Sequence, residues 1–85
     1  MKAAVYDTYV YKKEGSLMHF DIVVPENTAE EKVLSFGKEW LQSKGEEIVE
    51  LSTKECRFCH IEKATPGMIS DFDSKGFYII EMEGC

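Results

Sequence analysis

The stretch AAVYDTYVYKKEGSLMHFDIVV, residues 3 to 24, decides the fold, because it contains two alternating segments around one short polar loop. Residues 3–11 and 17–24 alternate with a period of two and are rich in β-branched and aromatic residues, which is typical of β-strands. The loop between them is polar and contains Gly15, which favours a short hairpin connection. The sequence therefore predicts an N-terminal β-hairpin.

The register of this hairpin determines which side chains share a face of the sheet. If the loop is symmetric, three pairs face each other: Thr8 and Phe20, Tyr9 and His19, and Asp7 and Asp21. One face then carries four large apolar residues and is expected to contact the helices: Met18, Phe20, Ile22 and Val24. The opposite face carries Asp7, His19 and Asp21. A shift of one residue would exchange the two faces, so this assignment depends on the loop.

The rest of the chain predicts two helices and two more strands. Residues 28–31 (TAEE) form a capping-box pattern that would start a helix, and Gly45 fits its C-terminal end. A strand or a strand-edged knuckle is expected over 55–61, a short helix between Thr65 and Gly76, and a last strand over 77–82. The order ββαβαβ indicates one small α+β domain over residues 1–85, with the hairpin in a mixed sheet and both helices on one face.

Composition and charge exclude several classes of function. A hydrophobic content of 44% is typical of a folded domain, and the formal net charge of −6 disfavours binding to nucleic acid or to an anionic membrane. No segment has the pattern of a signal peptide or a transmembrane helix, so we expect a cytoplasmic protein. The three cysteines should then be reduced, and their odd number also argues against a disulfide framework.

The segment ECRFCH, residues 55–60, carries the main candidate site. Two cysteines separated by two residues can face one ion, and a structural zinc ion needs four such ligands. Cys56 and Cys59 would supply two, the terminal Cys85 a third, and either His60 or His19 the fourth. The sequence therefore predicts a small metal-binding module, with zinc as the expected cofactor and a structural or regulatory role.

Other interpretations of the same residues remain open. Cys56 and Cys59 could form a redox or thiol-transfer pair, although no helix begins close enough to lower a thiol pKa. The pattern C-x-x-C-H is also that of c-type haem attachment, which goes with export and a larger core. Alternatively the cysteines are ordinary core residues. The domain would then be an interaction module for an unknown protein partner or small molecule, and a homodimer would add to its small core.

A second candidate is the pair Asp7 and Asp21. Two carboxylates opposite each other would raise the pKa of one of them, and His19 and Tyr9 would flank the pair. Hydrolytic chemistry is conceivable on that face, but a solvated polar surface is the simpler interpretation. The sequence contains no glycine-rich phosphate loop, nucleophile elbow or HExxH motif, which weighs against a conventional enzyme.

Four segments together resemble a small, uncharacterised bacterial family that is known as a domain of unknown function. They are VYDTYV at 5–10, MHFD at 18–21, ECRFCH at 55–60 and MEGC at 82–85. The resemblance implies a compact α+β domain and no particular activity, substrate or cofactor. Because these segments include Asp7, Asp21, both histidines and all three cysteines, the resemblance favours a shared site over scattered core residues.

Overall fold

The computed structural model describes residues 1–45 and 51–85, which form one sheet and two helices. The elements follow the predicted order and are listed here with their bounds: β1 (Lys2–Tyr11), β2 (Leu17–Pro25), α1 (Glu30–Ser43), β3 (Cys56–Lys63), α2 (Pro66–Lys75) and β4 (Tyr78–Glu83). The sheet order is β3-β1-β2-β4. The α+β class and the ββαβαβ order are therefore confirmed.

The hairpin has the predicted register, with Asp7 opposite Asp21, Thr8 opposite Phe20 and Tyr9 opposite His19. All three strand pairings among the described residues are antiparallel, so the expectation of a mixed sheet was wrong. Strand β3, which follows α1, runs in the same direction as β2. However, β3 pairs with β1 rather than with β2, so the parallel strands are not neighbours.

The two helices pack on opposite faces of the sheet, which corrects the prediction that both lie on one face. Helix α1 packs Val33 and Leu41 on the face that carries Phe20 and Ile22, which we call the α1 face. Helix α2 packs Met68 and Phe72 on the other face, the α2 face, against three small apolar residues: Ala3, Val5 and Val23. These three residues make a second apolar patch, and burying it requires a second helix.

The helix ends follow local capping chemistry at three of four positions. The Thr65 hydroxyl accepts a hydrogen bond from the Met68 amide at 3.2 Å, and Gly76 closes α2 with a φ of 91°. Gly45, with a φ of 74°, follows α1. The predicted capping box was wrong: α1 begins at Glu30 after Ala29, without a side-chain cap, because the Thr28 amide instead donates to the Pro25 carbonyl in the preceding turn.

Candidate functional site

Helix α2 covers only one end of the α2 face, and a polar cluster occupies the other end. Asp7 on β1 lies directly opposite Asp21 on β2, and His19 lies two residues before Asp21, so all three side chains point to the same face. One oxygen or nitrogen atom from each lies within 4.8 Å of the other two. Two paired strands thus bring together two carboxylates and an imidazole.

The imidazole of His19 is held from two sides. Its Nε2 lies 2.8 Å from Asp7 Oδ1, and its ring stacks on that of Tyr9 at a centroid distance of 4.0 Å and an interplanar angle of 12°. The hydrogen bond with His19 is the main reason that the pKa of Asp7 lies below its usual range. These contacts fix the orientation of the ring and favour an ionised Asp7.

Asp21 is in the opposite situation. Only 8% of the residue is exposed, and its Oδ1 is buried without a hydrogen-bond partner among the residues that the structure describes. Burial is the largest cause that raises the pKa of Asp21 to about 6, and the adjacent, negatively charged Asp7 carboxylate is the second, although the two histidines partly compensate. The structure places the two carboxylates as the alternative interpretation, a pair with one raised pKa, requires. The simpler interpretation as a solvated surface does not fit Asp21, which is buried.

Replacing this buried carboxylate should stabilise the metal-free protein. We expect Asp21→Asn to raise the free energy of unfolding by about 1–2 kcal/mol at pH 8, in the presence of a chelator. The folded state holds the Asp21 proton more tightly than the unfolded chain, so the ionised group costs stability as the pH rises from about 4 to about 6 and above. The full pKa difference would correspond to roughly 3 kcal/mol, and solvent around the partly exposed Asp7 reduces it.

Urea denaturation at pH 8 and at pH 4 would measure this effect, with Asp73→Asn as a control that removes one exposed charge on α2. The gain of the Asp21 variant should shrink to a small fraction at pH 4, where Asp21 is protonated in the folded state and about half protonated in the unfolded chain. A gain that is independent of pH, or an equal gain in the control, would contradict this account.

The structure separates the two cysteines of the ECRFCH segment. Cys56 is 2% exposed and belongs to the core under α1, and this burial raises the pKa of its thiol. Cys59 is exposed, and its Sγ lies 3.2 Å from His60 Nδ1. Cys56 and Cys59 therefore do not form a paired dithiol, and the predicted redox pair is not assembled.

Cys85 lies at the opposite edge of the sheet from Cys56 and Cys59. Its Sγ is 3.6 Å from the carbonyl oxygen of His19 on β2, whereas β3 lies two strands away. Two strand spacings amount to roughly 10 Å, but two sulfurs bound to one zinc ion lie within about 4.6 Å of each other. The sheet order thus corrects the predicted ligand set, and of its members His19 alone belongs to the polar cluster.

Comparisons with known proteins agree with this fold. The family described as a domain of unknown function, DUF2024, matches residues 1–82. The chain belongs to the DUF2024 family. A solved structure, the NMR structure of protein NE1680 from Nitrosomonas europaea, is 45% identical to this DUF2024 domain and has a TM-score of 0.87. The similarity covers 100% of this chain and 99% of that protein. No curated protein matches the chain.

The family description names no activity, so the site itself must indicate the chemistry of this DUF2024 domain. The sequence places Asp7, His19 and Asp21 on one face, but it also offers His19, with His60 as the alternative, as the fourth ligand of a cysteine-based site. The sequence signal that favours a site built on carboxylates is the pair of like charges, Asp7 and Asp21, at directly opposite positions of the hairpin. Such a pair is destabilising unless a positive charge compensates it. In the described ranges 1–45 and 51–85, no helix is long and apolar enough to cross a membrane.

Proposed function

We propose that this DUF2024 domain binds one divalent transition-metal ion, with Asp7, His19 and Asp21 as its protein ligands. The observation that carries the proposal is the buried, unpartnered Oδ1 of Asp21, which lies in the same cluster as an ionised Asp7 and a fixed imidazole. A buried carboxylate oxygen without a partner is costly, and a cation would compensate it. The net effect of the bound cation would be to neutralise the like charges of Asp7 and Asp21, which face each other.

The chemistry of the ligands favours zinc as the first ion to test. Imidazole suits zinc, copper, iron and nickel, whereas carboxylates alone suit magnesium, calcium and manganese, so a mixed set favours a borderline ion. Zinc remains the proposed cofactor, but with a ligand set that differs from the cysteine-based prediction. The negative net charge of −6 would also favour the approach of a cation.

Three protein ligands would leave a coordination position for a water molecule or a small-molecule ligand. Zinc sites of this kind are generally catalytic, whereas structural sites use four protein ligands. The cluster lies beyond the part of the α2 face that α2 covers, and Asp7 and His19 are partly exposed, with side-chain exposures of 37% and 19%. A small molecule could therefore reach an ion that these two residues hold. The predicted small-molecule partner and cytoplasmic location are part of this proposal.

Native mass spectrometry and isothermal titration with Zn²⁺ would test the ligand set. The wild-type protein should bind one ion, and Asp21→Asn, Asp7→Asn and His19→Gln should each weaken binding at least 100-fold, because each removes one of three ligands. Two variants serve as controls: Asp73→Asn, which changes the charge alone, and Cys59→Ser, which removes the exposed thiol of the ECRFCH segment.

Both controls should bind zinc as the wild-type protein does. If binding instead survives in the aspartate variants and disappears in Cys59→Ser, the cysteine-based set is favoured and the present proposal is wrong. The absence of any binding at micromolar zinc would also contradict it.

A further inference from the structure

A β-bulge in the edge strand β3 brings together a second group of side chains. Val5 on β1 pairs with His60, and the next residue, Tyr6, pairs with Phe58, so Cys59 is an extra residue on β3. In a regular strand, neighbouring side chains point to opposite faces. The bulge removes this restriction and lets the side chains of Cys59 and His60 meet, and bulges commonly redirect a side chain in this way beside functional sites.

The contacts of this group have the order of nucleophile, base and orienting carboxylate. Cys59 Sγ lies 3.2 Å from His60 Nδ1, and His60 Nε2 lies 3.1 Å from Glu62 Oε1. An ionised carboxylate can only accept a hydrogen bond, so contact with Glu62 favours the neutral tautomer of His60 that carries its proton on Nε2. The lone pair of Nδ1 then faces the thiol and can accept its proton.

The sulfur of this group is also accessible. Cys59 is exposed, and the side chains of His60 and Glu62 are exposed to 51% and 39%. Cys56, by contrast, is buried under α1. Cys85 is exposed but lies at β2, where its thiol contacts the backbone carbonyl oxygens of His19 and Glu83. Cys59 therefore differs from both other cysteines in combining access with a base at hydrogen-bond distance.

We propose that Cys59 is a thiol-exchange site that reacts with small disulfides, with His60 as its general base. His60 Nδ1 takes the proton of the Cys59 thiol while the sulfur attacks one sulfur of the small disulfide. A new S–S bond forms to Cys59, the S–S bond of the reagent breaks, and the departing thiolate takes the proton from His60. The products are a mixed disulfide on the protein and one free small thiol.

The fold also determines what happens after this step. An internal disulfide requires Cα atoms within about 7 Å, but Cys56 is buried in the core under α1, three residues or roughly 10 Å along the same strand, and Cys85 lies roughly two strand spacings away. Neither can resolve the mixed disulfide within the folded domain. The modification therefore remains until a second external thiol removes it, so the site carries reversible thiolation rather than an internal redox switch.

The rate of reaction with 4,4′-dithiodipyridine, a neutral disulfide, would test this assignment on the full chain in the presence of a chelator. Cys85→Ser reports the rate of Cys59, and Cys59→Ser reports that of Cys85, which is the matched exposed thiol. We expect Cys59 to react at least tenfold faster at pH 7. In the Cys85→Ser background, His60→Asn retains a hydrogen-bond acceptor but cannot take a proton, and should remove this advantage.

Arg57→Gln in the same background is the control for loss of a nearby positive charge and should change the rate less than twofold. Intact-mass analysis locates the adduct, and circular dichroism verifies that each variant is folded. Equal rates for Cys59 and Cys85, an unchanged rate in His60→Asn, or equal slowing by Arg57→Gln would each overturn the proposal.

Discussion

Zinc at 1000 times its dissociation constant is expected to raise the free energy of unfolding of the wild-type domain by about 4 kcal/mol. Any ligand that binds the folded state and not the unfolded chain stabilises the protein by mass action. Here the ligands come from two paired strands, Asp7 on β1 and His19 and Asp21 on β2, and the unfolded chain does not hold them together. For a domain of this size, the increment corresponds to a rise in Tm of roughly 15 °C or more.

Thermal unfolding with and without zinc measures this increment for each variant. Asp7→Asn and Asp21→Asn should lose most of it, even though the second variant is expected to be more stable than the wild type without metal. The double variant Cys59→Ser/Cys85→Ser should retain the increment or exceed it, because fewer thiols remain to bind zinc in the unfolded chain. An increment that survives in the aspartate variants and depends on the cysteines would refute the proposed ligand set.

The second large effect concerns the packing that holds β2, and with it His19 and Asp21, in place. Phe20 is fully buried on the α1 face and packs on Trp40 of α1 at a ring-centroid distance of 4.5 Å. Phe20→Ala should lower the free energy of unfolding by about 4 kcal/mol, since it removes a large apolar side chain and leaves a cavity between the sheet and the helix.

Phe58→Ala provides a matched control for this substitution, and urea denaturation would compare the two. Phe58 is 53% exposed at the edge of the sheet and makes an edge-to-face contact with Tyr6 at 5.7 Å. Its replacement should cost about 1 kcal/mol. Similar losses in both variants would show that burial under α1 is not what makes Phe20 important.

The hairpin could be predicted from the sequence because it depends on local information. Alternation with a period of two assigns residues to faces, and the short loop fixes the register, so the pairing of Asp7 with Asp21 followed directly. The sheet order could not be predicted in the same way. Whether β3 joins β1 or β2 depends on the connections through the helices, and these carry no periodic signal in the sequence.

The sheet order, which the sequence left open, decides whether the predicted cysteine ligands can meet. A last strand placed beside β3 would have brought Cys85 close to Cys56 and Cys59, whereas the observed order puts β3 and β4 at opposite edges. The second apolar patch is present in the sequence as Val5 and Val23, but the other face carries the stronger apolar pattern and so predicts only one covered face. The bulge at Cys59 could not be predicted from the sequence either, because a bulge changes which residues pair without changing the alternation of polar and apolar residues.

The length of α2 has a consequence for how an ion would bind. A helix of 10 residues is about 15 Å long, whereas a strand of 10 residues, such as β1, extends for about 33 Å. The polar cluster is therefore open because α2 is shorter than β1 and does not reach it. The residues of the cluster lie on paired strands rather than on loops. An ion would meet ligands whose backbone is already in place, so binding should require little rearrangement of the sheet.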